Sequence, residues 1–122
     1  MFVEKEQLYV EFDRIAWEDV GDGVRRKVMG YGDELMGVYA EFKRGAVGAL
    51  HAHPHIQITY IQSGALTVHI GNESRVMKAG DFYYIPPIVV HGVNAIEDSI
   101  LIDVFTPMRK DFLPEATHSS EK

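Results

Sequence analysis

The sequence predicts an all-β fold, a single barrel of short antiparallel strands. Two observations point there. Turn-forming residues recur at short intervals along the chain, and the runs between them are rich in Val, Ile, Tyr and Phe. A third observation agrees: no stretch keeps a helical period over three turns.

The elements follow from that punctuation. Residues 8–12 alternate like a strand, and as an open edge they would invite pairing with a second copy. Turns are expected at Gly21-Asp22-Gly23, Gly30 to Asp33, Gly45, Gly48 and Ser63-Gly64. Residues 57–62 read as a strand. Residues 66–70 alternate about Val68, and Gly71-Asn72 then turns the chain into 73–78 as a hairpin. Gly80-Asp81 and Gly92 are further turn signals. Pro86-Pro87 lacks two backbone donors, which suits a corner or a strand edge. Residues 99–105 read as a strand, and 109–113 as a short turn.

The chain has 122 residues, enough for one domain with a real core. Hydrophobic residues are 46% and charged residues 25%, an ordinary soluble composition. The net charge of −6 argues against nucleic acid or an anionic membrane as a partner. With no cysteine, a disulfide framework, a thiolate metal site and a cysteine nucleophile are excluded. No apolar run is long enough to span a bilayer, and Glu4, Lys5, Glu6 and Gln7 stand where a signal peptide would be apolar. A cytoplasmic protein is expected. Residues 1–113 are expected to form the domain, with the metal-binding core at 45–94, and 114–122 a disordered polar tail. There is no G-x-S-x-G, G-x-G-x-x-G or phosphate-binding loop.

The chemistry-bearing residues are histidines. His51 and His53 stand one residue apart, and on a strand would share a face. Gln57 follows the bend at Pro54 and offers a carbonyl oxygen. His91, after the Pro86-Pro87 corner, closes the set from an adjacent strand. Three imidazoles and an oxygen suit one divalent transition ion, Ni, Zn, Mn, Fe or Co. The neutral Gln leaves the ion its full charge and strengthens it as a Lewis acid. An HxH pair alone is a weak signal. His55 reads as a pocket-rim residue, His69 as solvent-facing or cross-strand paired, and His118 as part of the tail.

The spacing is more specific. Gly45, five residues, His51-x-His53, three residues, Gln57, six residues and Gly64 resembles the first cupin motif, with Gln where Glu is usual. Gly80, five residues, Pro86, four residues, His91, two residues and Asn94 resembles the second, with Ile88 where Gly is usual and Asn94 one place early. The resemblance implies a cupin-type jelly-roll β-barrel, commonly a homodimer. The run from Asp103 to Leu113, Trp17-Glu18-Asp19-Val20 and His51-Ala52-His53-Pro54-His55 resemble the pectin-degradation (KdgF-type) cupins. That resemblance implies conversion of 4,5-unsaturated monouronates, released from pectin or alginate, into linear 5-keto-4-deoxyuronate. It also implies a pocket containing Asp103, Phe105 and Arg109.

The residues themselves leave two readings each. On a strand Leu101, Asp103 and Phe105 share a face, and a lone carboxylate there is costly unless it faces the barrel mouth. Asp103 is then a general acid/base near the metal, or a rim carboxylate paired with Arg109. Arg109 either holds a substrate carboxylate or is a solvated arginine beside Asp111. Phe105 either walls a pocket against a sugar face or packs in the core. The substrate expected is a small anionic sugar. A metal-dependent dioxygenase, or a non-catalytic sugar- or acid-binding module, would use the same barrel.

Overall fold

The computed structural model describes residues 1–113. The tail expected at 114–122 lies outside the described residues. Among the described residues, ten strands form two antiparallel sheets: β1 (Glu18–Gly21), β2 (Val24–Gly32), β3 (Leu35–Phe42), β4 (Val47–His51), β5 (Ile56–Ser63), β6 (Ala65–Ile70), β7 (Glu73–Lys78), β8 (Phe82–Ile85), β9 (His91–Ala95) and β10 (Ser99–Thr106). One sheet has six strands in the order β1-β2-β3-β10-β5-β8, and the other has four in the order β4-β9-β6-β7. This is the all-β cupin-type jelly roll that the motifs imply. Among the described residues, no helix is long and apolar enough to cross a membrane.

Strand alternation explains which side chains turn inward. In β5 Gln57, Thr59 and Ile61 are buried while Ile56 and Ile58 are exposed. In β10 Leu101 and Phe105 are buried, on the same face as Asp103. Two apolar clusters fill the interior. Ala40, Ile61, Leu66, Val68, Val93, Ala95 and Leu101 join the two sheets. Val3, Ile15, Val28, Met36, Val38, Phe105 and Leu113 bring both ends of the described chain against β2, β3 and β10. Each fully buried aliphatic side chain contributes about 1.5–3 kcal/mol.

The hairpin through Gly71-Asn72 is present, with Ile70 opposite Glu73. Gly64 makes the tight link from β5 to β6 at φ +89, and a Cβ there would collide with Ser99 and the Asp98 carbonyl. The Gly30–Asp33 region behaves differently from expectation. β2 runs on through Gly32 past an irregularity between Val28 and Gly30, and the turn falls at Asp33 and Glu34. The expected strand over residues 8–12 is absent. Leu8 and Tyr9 are exposed and unpaired in a ladder, and a 3₁₀ turn (Phe12–Arg14) follows. There the chain is held by aromatic packing, with Phe12 edge-on to Trp17 and Tyr39, and by the buried Lys27 ammonium donating to the Phe12 carbonyl.

Candidate metal centre

His51, His53 and His91 converge, their ligand-capable nitrogens all within 4.8 Å of one another. Their routes differ from simple strand alternation. β4 ends at His51, which pairs directly opposite His91 at the start of β9. His53 lies beyond the strand, in the loop that leads to β5. It reaches the cluster because its carbonyl accepts a hydrogen bond from the Ile88 amide at 2.8 Å. Ring centroids are 4.3 Å apart for His51–His91, 4.7 Å for His53–His91 and 5.5 Å for His51–His53. His51 is exposed at the rim; His53 and His91 are buried.

Backbone carbonyls fix the tautomers of His51 and His91. Nδ1 of His51 meets the Ala49 carbonyl at 2.8 Å, Nδ1 of His91 the Val89 carbonyl at 2.9 Å, and Nδ1 of His53 the His55 carbonyl at 3.2 Å. A carbonyl only accepts, so Nδ1 of His51 and of His91 carries the proton and Nε2 presents a lone pair in the neutral ring, whereas His53 faces an acceptor at each nitrogen and its one ring proton can serve only one of them. Burial pushes His53 down and His91 down to about 4, so both are neutral near pH 7. Nε2 of His91 is buried without a hydrogen-bond partner. Nε2 of His53 lies 3.0 Å from Oε1 of Gln57, which sets the amide oxygen beside the imidazoles. Both features suit a shared cation, and this three-histidine cluster is geometrically compatible with one metal ion.

Gln57 is held from its other end. Its Nε2 donates to Thr59 Oγ1 at 2.9 Å and, more weakly, to Asp103 Oδ1 at 3.4 Å. Thr59 Oγ1 donates to the same Asp103 oxygen at 2.6 Å. Burial raises the Asp103 carboxyl to about 6, against the opposing pull of the Thr59 hydrogen bond and the Arg109 charge. Tyr83 shares a hydrogen bond with Thr59, and burial pushes its phenol well up.

A cavity of about 550 Å³ lies between the sheets and is lined by His51, Gln57, His91, Asp103, Phe105 and Arg109 among others. Arg109 is 9% exposed and not a solvated surface residue. Its Nε and a terminal nitrogen donate to the two Asp111 oxygens at 3.1 and 2.7 Å, so its partner is Asp111 rather than Asp103. Phe105 is buried and also borders the cavity, edge-on to His53 at 5.8 Å and to Phe112 at 5.6 Å. Core packing and pocket wall are therefore one position.

Three cavity or network residues escaped the sequence reading: Arg26, Thr59 and Tyr83. Arg26 lines the cavity, and its guanidinium lies over the Phe112 ring at 3.6 Å, with Arg109 over that ring at 4.3 Å. Its Nε is buried and 3.5 Å from Glu18 Oε1, too poorly placed for a hydrogen bond. The signal was alternation, which puts Val24, Arg26 and Val28 on one face of β2, and Gln57 and Thr59 on one face of β5. Of the remaining histidines, His55 sits at the rim against His53 with Nδ1 unpartnered. His69 bridges Ser74 and Asn94 on the neighbouring strands.

Residues 38–105 match the family model described as the cupin domain. Pectin degradation protein KdgF of Dickeya dadantii (strain 3937) is 44% identical over 103 residues, covering 83% of this chain and 94% of that protein. A solved RmlC-like cupin from Shewanella frigidimarina NCIMB 400 superposes with a TM-score of 0.87 at 36% identity, covering 91% of this chain and 100% of that one. The solved KdgF from Halomonas sp. superposes with a TM-score of 0.82 at 40% identity, covering 86% and 99%.

Proposed function

The chain belongs to the cupin family and, within it, to the KdgF-type proteins, and from that membership we propose that it is a metal-dependent enzyme of uronate catabolism, opening 4,5-unsaturated monouronates to linear 5-keto-4-deoxyuronate. The observation that carries the reading is the convergence of His51, His53 and His91, with ligand-capable nitrogens within 4.8 Å of one another and Nε2 of His91 buried without a partner, beside a cavity lined by Gln57 and Asp103.

His51, His53, Gln57 and His91 would hold one divalent transition ion, Ni, Zn, Mn, Fe or Co, which when bound supplies Lewis-acid polarisation of a substrate oxygen. Arg109 binds the sugar carboxylate with the donors that Asp111 leaves free. Phe105 and Arg109 together hold the ring in place. Asp103 takes the anomeric hydroxyl proton as the C1–O5 bond breaks. The electron pair goes to the ring oxygen, which leaves an aldehyde at C1 and an enolate at C5. The proton that Asp103 took is returned at C4 and ketonises the enolate, which regenerates the carboxylate, so the net change is an isomerisation with no redox partner. A carboxyl near 6 exchanges protons readily at neutral pH. General acid–base help of this kind is worth ~10²–10⁴-fold.

The test is metal analysis of untagged protein, followed by loss of the substrate's ultraviolet absorbance. Wild type should consume an unsaturated monouronate without oxygen uptake, and Asp103→Ala and Arg109→Ala should be slow. Wild-type rates in both variants would sink the assignment. Oxygen uptake would favour a dioxygenase, and binding without turnover a carrier module.

Assembly as a homodimer belongs to the same proposal. The outer face of the six-stranded sheet carries exposed Ile58 paired with exposed Tyr84, and Tyr60 packed at a tilt against exposed Phe82 with ring centroids 4.9 Å apart. An apolar patch of this kind marks an interaction surface. Light scattering should give twice the chain mass, and Ile58→Glu with Tyr84→Glu should halve it. A cytoplasmic setting, with no nucleic acid or membrane partner, is in keeping with the −6 charge and the lack of cysteine, and cell fractionation tests it.

A further inference from the structure

We infer that Thr59 is a positioning residue for the metal centre: with Asp103 it holds the Gln57 side chain with its oxygen, not its nitrogen, toward the imidazoles, and this is why position 57 carries an amide. The inference rests on the metal-centre reading above and adds a residue outside the set of ligands and catalytic groups.

Thr59 is fully buried, next but one to Gln57 on the inward face of β5. Its hydroxyl has one proton, which goes to Asp103 Oδ1 at 2.6 Å. The oxygen is then an acceptor for the Gln57 amide nitrogen at 2.9 Å. Asp103 Oδ1 accepts from the same nitrogen at 3.4 Å. Both groups around the inner end of Gln57 thus demand a donor there, and only the NH₂ end can supply one.

Rotating the amide by half a turn would set Oε1 against Asp103 and against a hydroxyl whose proton is already committed. The NH₂ would then donate to His53 Nε2, now 3.0 Å from Oε1, and block the lone pair an ion needs. Thr59 tips this choice. A glutamate at 57 would have no N–H to offer and would place a second carboxylate beside Asp103. The neutral ligand and the nearby acid are therefore one arrangement.

Thr59→Val keeps the shape and removes the hydroxyl, and Thr59→Ser keeps the hydroxyl. Affinity for Ni²⁺ and Zn²⁺ would be read by competition with a chromophoric chelator on the metal-stripped full chain. Thr59→Val should weaken binding roughly 10- to 100-fold, the usual cost of losing a group that orients a ligand. Thr59→Ser should bind as wild type. A lowered Tm in Thr59→Val with unchanged affinity would mean a packing role only and would overturn the inference. So would equal weakening in Thr59→Ser. Should Thr59→Val not fold, a Gln57→Glu and Asp103→Asn cycle read by the Tm of metal-free protein decides. Asp103→Asn should raise Tm more in the Gln57→Glu background than in wild type, and equal shifts would overturn the pairing. Failure of wild type to bind either ion is a distinct result, one that removes the metal-centre reading itself.

Discussion

Ile88 and His53 are joined by a backbone hydrogen bond of 2.8 Å, and Ile88 makes it in the left-handed region at φ +71. Here the second cupin motif usually has glycine. A β-branched residue in this conformation is strained, at about 1–2 kcal/mol. The side chain is 65% exposed and gains little from packing. Ile88→Gly should therefore stabilise the fold by about 0.5–1 kcal/mol after the extra chain entropy of glycine is subtracted. A raised urea midpoint with unchanged m-value would show it. A lowered midpoint would mean that the exposed isoleucine contributes packing that outweighs its strain.

Arg109 is fixed by Asp111 below it and by aromatic rings beside it, with its guanidinium carbon 5.2 Å from the Phe105 ring and 4.3 Å from that of Phe112. A lysine keeps the charge but cannot form the fork or stack as a plane. Arg109→Lys should lose roughly 10²-fold in kcat/KM on an unsaturated monouronate. Asp111→Ala frees the guanidinium to move and should act mainly on KM, by roughly tenfold. A variant Arg109→Lys with wild-type kinetics would show that a point charge suffices.

The histidine cluster was readable because spacing carries it, but its geometry was not. Local alternation put His51 and His53 on one strand, whereas β4 ends at His51 and His53 arrives by a loop pinned across the barrel by Ile88. That contact joins residues 35 positions apart, beyond any local pattern. The hairpin at Gly71-Asn72 was legible for the opposite reason, since its turn and both strands are contiguous. Residues 8–12 misled because no ladder forms there: Phe12 packs against Trp17 and Tyr39 and Val10 against the apolar cluster, while Leu8 is exposed. Thr59 and Arg26 lay on correctly alternating faces, yet a threonine or arginine on a strand acquires meaning only from what faces it.

Arg26 gives a prediction that separates substrate binding from metal binding. It borders the cavity with a buried Nε lacking a hydrogen bond, and its guanidinium and that of Arg109 both lie against the Phe112 ring. A second cation there favours an anionic sugar. Arg26→Met should raise KM roughly tenfold, leave kcat nearly unchanged, and leave Ni²⁺ affinity at the wild-type value. Unchanged KM would restrict Arg26 to its pairing with Glu18.

The metal-free fold carries two opposing titrations. In the metal-stripped fold burial holds His91 at about 4 against 6.5 in a free side chain, so between those values the unfolded chain binds more protons. Its share of stability rises with pH across that window, by roughly 3 kcal/mol, and is lost as pH falls toward 4. Asp103 acts in reverse. Burial raises it to about 6 from 3.8, so the folded state binds more protons between those values, and stability falls by roughly 3 kcal/mol as pH rises through them. The two nearly cancel. His53 and His55, also lowered mainly by burial, leave a modest net rise with pH. Asp103→Asn removes one side of the balance. Metal-free Asp103→Asn should therefore gain stability steeply between pH 4 and 6.5, where wild type changes little, as read by urea denaturation at several pH values. Parallel curves for the two proteins would mean that Asp103 titrates in the fold as it does in the unfolded chain, and its place as a proton-exchanging group near neutral pH would be lost with it.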